Sequence, residues 1–227
     1  KEFEIVTCQI KNAAEENEEI VQIIIANSYR DKSIEEMLEE EKQLKKALQY
    51  MRDNGLELQG YDLNKGRLRD VIASIMQKST GKIAQIEKIN SNLIPELQKE
   101  VREGRLNFSV AHEVSGLSQE KQHELLEKYE KGGLSVKEAK QAKEEEKEED
   151  FLEYLYMGWK SGTEIWPHQV KMHLELMDAE LKRLERGLMA SGYLRKRAEN
   201  SGYRLTELGK VQGEECLLRH HNLTQFL

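Results

Sequence analysis

Apolar residues recur at three- and four-residue intervals along most of this chain, so the pattern is helical nearly throughout. The exception at the start is FEIVTCQI (residues 3–10), whose weak alternation and β-branched residues predict a single strand. One strand cannot stand alone and needs partners elsewhere. The run AEENEEIVQIIIANSYR is helical, and SIEEMLEEEKQLKKALQYMRDNG predicts a longer helix. Ser33 and Glu36 form a capping box at its start, and Asn54-Gly55 end it. In GRLRDVIASIMQ, residues Leu68, Val71, Ile72 and Ile75 face inward. Lys78-Ser79-Thr80 then reads as a turn, with Thr80 capping GKIAQIEKIN. Pro95 opens the next helix, which ends at Gly104, and three more helical runs begin at Ser caps or their equivalent.

Residues 141–149 lie in the charge-dense stretch KEAKQAKEEEKEED, which predicts a solvated helical linker, open to being continuous with the EDFLEYLYM helix. A short acidic helix, EDFLEYLYM, and the run VKMHLEL follow. Asp178 is placed to cap AELKRLERGLM, where Leu181, Leu184 and Leu188 repeat at helical spacing and are expected inside. ASGYLRKR turns through Gly192 into a strand, AENSG is a hairpin loop, and residues 203–206 form the returning strand. Thr206 caps a last amphipathic helix that carries His220 and His221. The expected fold is therefore mainly α: a helical helix-turn-helix domain, then a winged helix-turn-helix domain with a small β-hairpin. Its expected divisions are a strand-and-helix segment over 1–60, the first domain over 61–140, the linker over 141–149 and the winged domain over 150–227.

Charged residues make up 34% of the 227 and aromatics 6%, which favours long solvated helices. The net charge of −7 argues against indiscriminate coating of nucleic acid, although local basic patches remain open to it. Cys8 and Cys216 are isolated, so neither a disulfide framework nor a Cys-Cys zinc knuckle is expected, and a reducing cytoplasm is the simplest setting. No apolar run approaches membrane length, so no membrane partner is expected.

Two constellations carry chemistry. The first is cationic. Lys82, Gln85 and Lys88 are the expected exposed positions of one helix, with Thr80 at its start as a phosphate donor. Lys182, Arg183 and Arg186 face outward from another, beside Arg195, Lys196 and Arg197 of the hairpin, and Glu180 or its neighbours would read bases. The second is a divalent-metal site. Asp150 and Glu153 share a helical face, and His220 supplies an imidazole from a distant helix. A blander reading stands beside it: such carboxylates serve the helix dipole, and exposed tandem histidines are simply solvated. His112, His123, Trp159 and Trp166 read as packing or solvated residues.

The segments DVIASIMQKSTGKIAQIEKI, IPELQKEVREGRLNFSVAHEVSGL and EKGGLSVKEAK resemble the DNA-binding domain of ParB-type partition proteins, over residues 3 to about 140. That family binds CTP with Mg²⁺ in an N-terminal domain and closes around DNA. Asn27 and Arg30 match its Asn and Arg, but Ala26 stands where a carboxylate is usual. The family's phosphate loop would fall before residue 1. CTP is therefore not an expected cofactor, and no enzyme activity is expected. The segments EDFLEYLYM, LERGLMASGYL, LTELGK and LLRHHNLTQFL resemble the DtxR/MntR-type metal-dependent repressors over 149–227. That resemblance implies Mn²⁺ or Fe²⁺ at Asp150, Glu153 and His220, with His221 beside them, and a homodimer on double-stranded DNA. The family's remaining ligands lie on a following helix, past Leu227.

The expected function is thus a sequence-specific, metal-responsive transcriptional regulator with an added ParB-like DNA-binding module. The alternatives are a ParB-type plasmid or chromosome partition protein binding a centromere-like site, and a helical protein–protein adaptor.

Overall fold

The structure, a computed structural model, describes residues 16–195 and 201–224, with side chains through Arg219. The strand expected over residues 3–10, and Lys196, Arg197 and the hairpin loop, lie outside the described residues. The chain is mainly α. Among the described residues there are eleven helices and one two-stranded antiparallel hairpin. It divides into two compact units, Lys1–Leu134 and Ser135–Leu227.

The first unit is built on α2 (Ile34–Asp53), whose apolar stripe buries Leu38, Leu44, Ala47, Leu48 and Met51. The expected capping box starts it: the Ser33 hydroxyl accepts from the Glu36 amide, and the Glu36 carboxylate accepts from the Ser33 amide. Against α2 pack α1 (Glu16–Ala26), α3 (Leu68–Ile75), α4 (Thr80–Asn92) and α5 (Pro95–Arg102). The short α6 (Phe108–Val114) covers α4 and α5, and α7 (Gln119–Gly132) completes the unit.

The second unit starts with α8 (Val136–Lys160), a helix of 25 residues. It is continuous through residues 141–149, so the expected linker and the expected short acidic helix are parts of one element. Asp150 and Glu153 therefore sit in mid-helix rather than in a first turn, which removes the dipole explanation for them. Then follow α9 (Pro167–His173), α10 (Asp178–Ala190), β1 (Leu194–Arg195), β2 (Arg204–Leu205) and α11 (Glu207–Thr224). The core gathers Phe151, Leu152 and Leu155 of α8 with Ile165, Val170, Leu176, Leu181, Leu184, Leu188 and Leu194. α11 lies along α8. Close approach there depends on Gly213, where a Cβ would stand 2.7 Å from the Tyr156 Cβ; separately, a Cβ on Gly209 would stand 2.0 Å from the carbonyl oxygen of Tyr193, just before β1.

Two caps fall one residue earlier than the sequence suggested. Ser79, not Thr80, caps α4, its hydroxyl accepting from the Lys82 amide at 3.1 Å. Both residues can do this, and the register of the preceding turn selects the first. At α10 the cap position is Met177, and Asp178 is the first helical residue. The Glu180 carboxylate reaches back to the Met177 amide at 3.0 Å, so the helix start is satisfied from inside the helix. Asp178 instead pairs with Lys171 at 2.5 Å. Thr206 caps α11 as expected, accepting from the Gly209 amide at 3.0 Å.

Candidate nucleic-acid interface

The connections α3–α4 and α9–α10 have the same construction. In each, five residues after a buried apolar residue of the first helix, Ile72 or Val170, the chain passes through a non-glycine residue in the left-handed region: Gln77 at φ 52° and Glu175 at φ 50°. The residue after it donates its amide back across the turn, Lys78 to the Ala73 carbonyl at 3.0 Å and Leu176 to the Lys171 carbonyl at 2.9 Å. One residue before it, Met76 donates to Ile72 and Leu174 to Val170, both at 2.9 Å. The next helix begins three residues past the left-handed one in both cases, at Thr80 and Asp178. Buried positions correspond as well: Ile72 with Val170, Ile83 with Leu181, Ile86 with Leu184. Lys82, Gln85 and Lys88 of α4 thus occupy the places held in α10 by Glu180, Arg183 and Arg186.

In the first unit the polar residues of α4 are used to fix it in place. The Glu87 carboxylate accepts from Lys45 of α2 at 2.5 Å and from Arg69 of α3 at 2.8 Å. Those cations, working against partial burial, hold its pKa below the usual carboxylate range. Asn90 donates to the Leu38 carbonyl and to the Glu41 carboxylate, at 2.8 and 2.7 Å. Glu41 is 1% exposed, its second oxygen has no hydrogen-bond partner, and burial pushes its pKa up. Lys82 is half-buried with its ammonium 3.2 Å from the centre of the Phe108 ring, and burial, with Lys78 adding to it, lowers its pKa. Gln85 and Lys88 are half-buried too. Exposed at this site are Lys78, Ser79, Thr80 and Gly81, at the turn and helix start.

In the second unit the set divides by face. Lys182 and Arg186 are exposed on the outer side of α10 and make no ion pair among the described residues. Glu180 and Arg183 are turned toward α8. Glu180 accepts from Lys147 at 2.7 Å as well as from the Met177 amide, so both its oxygens are engaged. Lys147 is the largest cause of its lowered pKa. Arg183 donates to Glu144 at 2.5 Å. The hairpin stem adds a residue that sequence reasoning missed. Register places Arg204 directly across from Arg195, and both are exposed. Like charges opposite one another on a strand pair repel and favour an anion between or beside them. The signal was present in YLR and YRL, but it needed the register to be read.

At the seam of α8 and α11, Arg219 pairs with Glu149 at 3.0 Å. Asp150 and Glu153 are half-buried nearby, and the Cys216 thiol is buried, its pKa pushed up by burial and by the Glu149 carboxylate. Among the described residues no group of three or more His, Cys, Asp or Glu side chains is arranged to hold a metal ion. The side chains of His220 and His221 lie outside the described ones. Asn27 and Arg30 are used locally, Asn27 donating to the Ile23 carbonyl at 3.0 Å and Arg30 pairing with Glu36 at 2.7 Å. No helix among the described residues is long and apolar enough to cross a membrane. The chain matches no family model, no curated protein and no solved structure.

Proposed function

We propose that the chain is a sequence-specific double-stranded DNA-binding protein of the transcriptional-regulator class. On this reading α3–α4 and α9–α10 are two helix-turn-helix heads, and the hairpin β1–β2 is the wing of the second. The observation that carries it is the set Lys182, Arg186, Arg195 and Arg204. These four cations are exposed on α10 and the adjoining hairpin, and none forms an ion pair among the described residues, in a chain whose net charge is −7. Phosphate oxygens are the anions that such a helix-and-wing arrangement meets when the helix enters a major groove. In the first head Thr80 with Lys78 would contact phosphate, while Gln85 and Lys88 would approach base edges and Lys82 would act from its seat on Phe108.

We assign Mn²⁺ or Fe²⁺ to Asp150, Glu153 and His220, and a homodimer to the metal-bound form. Two carboxylates one helical turn apart are suitable hard donors. The pairing of Arg219 with Glu149 brings the α11 backbone to this level of α8, one residue before His220. A bound ion would clamp α11 to α8 and so fix the head against the helix that follows it.

Fluorescence anisotropy with labelled duplexes over a salt series tests the DNA reading. Binding should weaken steeply with salt, and Arg186→Ala should lower the slope of log K against log salt by about one. Absence of binding even at low salt would overturn it in favour of a helical protein–protein adaptor. Adding Mn²⁺ should tighten binding of wild type and leave Asp150→Ala unchanged.

A further inference from the structure

The cations of α10 are not all presented alike, and α8 is the reason. Its stretch from Glu144 to Asp150 carries six carboxylates and a single cation, Lys147. Three contacts dock this stretch on one flank of α10. Glu144 accepts from Arg183 at 2.5 Å, and Lys147 donates to Glu180 at 2.7 Å. Glu148 lies so close to Gly187 that a Cβ there would stand 2.3 Å from its carboxylate oxygen. Burial against α10, with Glu144 and Glu145 beside it, pushes the Glu148 pKa up. A larger residue at 187 would push the Glu148 carboxylate aside, so glycine there lets that side chain lie against α10.

Arg183 occupies the place in α10 that Gln85 holds in α4, on the second turn of the helix assigned to the groove. Its guanidinium is nonetheless held by a carboxylate of its own unit. Carboxylates spaced along α8 offer α10 the kind of charge that a phosphate backbone would offer. We infer that the acidic stretch of α8 is an internal competitor for phosphate: Glu144 holds Arg183 back from DNA, and duplex binding requires that pair to open. Lys182 and Arg186, on the opposite flank, make the first contacts, and Arg183 joins after it leaves Glu144. Both members are about half exposed, so the competition is weak enough to be reversed by a duplex. The inference rests on the DNA-binding reading of α10, and its test separates the two.

The test uses the full chain in five forms: wild type, Glu144→Gln, Glu145→Gln, Arg183→Ala, and Glu144→Gln combined with Arg183→Ala. Glu145 is the control, since it removes the same charge one residue away and bonds to Gln141 rather than to α10. Duplex affinity is measured by anisotropy across a salt series. Glu144→Gln should bind about two- to fivefold tighter at low salt. Its salt slope should rise by about one, the contribution of one released cation. Glu145→Gln should change little, and Glu144→Gln should have no effect when Arg183 is Ala. Equal gains from the two Gln variants, or a gain that survives Arg183→Ala, would show general charge repulsion and overturn the competitor. So would unchanged affinity in Glu144→Gln with wild type binding well. If no form binds DNA at low salt, the reading of α10 as a DNA interface falls, and the competitor falls with it.

Discussion

The connections α3–α4 and α9–α10 share a turn, a left-handed residue and a matching set of buried positions, yet they treat their charges differently. In α4 the polar side chains face inward to neighbours: Glu87 to Lys45 and Arg69, Asn90 to Glu41, Lys82 to the Phe108 ring. In α10 the outer cations Lys182 and Arg186 are exposed, and the hairpin sets Arg195 and Arg204 opposite each other beside them. The same backbone motif therefore supports two uses of charge. One anchors a helix within its unit. The other leaves cations exposed at the surface. A turn of this kind identifies a scaffold, and the destination of the side chains decides what the scaffold can bind.

The largest effect is expected where α8 and the hairpin support α10 in the second unit. Phe151 is fully buried and meets Tyr203 edge-on at 5.3 Å between ring centres, and the Tyr203 hydroxyl donates to Glu185 of α10. Phe151→Ala should cost the second unit about 3–5 kcal/mol, read as a lower urea midpoint for that unit. A loss under 1 kcal/mol would mean that the hairpin base is not tied to α8 as described. Next in size is Gly209→Ala, which forces a methyl toward the Tyr193 carbonyl and should cost about 1–3 kcal/mol. Thermal melting would check it, and an unchanged midpoint would contradict the close approach of α11 to Tyr193.

The buried carboxyl of the first unit gives a smaller effect with a pH signature. The pKa of Glu41 in the folded unit is raised above its ordinary 4.5, so folding holds this proton more tightly than the unfolded chain does. Its contribution to stability is present at low pH and is lost as pH rises from 4.5 through the raised value. Glu41→Gln should remove that decline and gain about 1 kcal/mol over wild type at pH 7.5. Denaturation midpoints at pH 5 and pH 7.5 decide it, and parallel curves would contradict the assignment. Smallest of all are the two left-handed residues. Gln77→Gly and Glu175→Gly should each stabilise its unit by about 0.5–1 kcal/mol, because glycine adopts that conformation without a Cβ clash. If one gains and the other loses, the turns are not equivalent.

Most helices were legible because apolar spacing and caps agreed, as at Ser33 with Glu36 and at Leu181, Leu184 and Leu188. The turns themselves were not. Gln77 and Glu175 carry no glycine signal, so the sequence pointed to the polar residues just after the first of them. The helical character of the charge-dense stretch and its possible run into EDFLEYLYM were legible, but the neighbour that this stretch of α8 lies against was not. That concealed the pairing of Glu144 with Arg183, which depends on where α8 runs and not on anything near residue 183. Arg204 became visible only through its register with Arg195. For the metal donors, mid-helix placement of Asp150 and Glu153 removed one local explanation.

The most direct test compares duplex binding by the wild-type chain with a variant carrying Lys182→Ala, Arg186→Ala, Arg195→Ala and Arg204→Ala, across a salt series. Wild type should bind with a steep salt dependence, and the variant should remain folded by circular dichroism while its slope falls by about three to four. A folded variant that binds DNA with the wild-type affinity and slope would contradict the account.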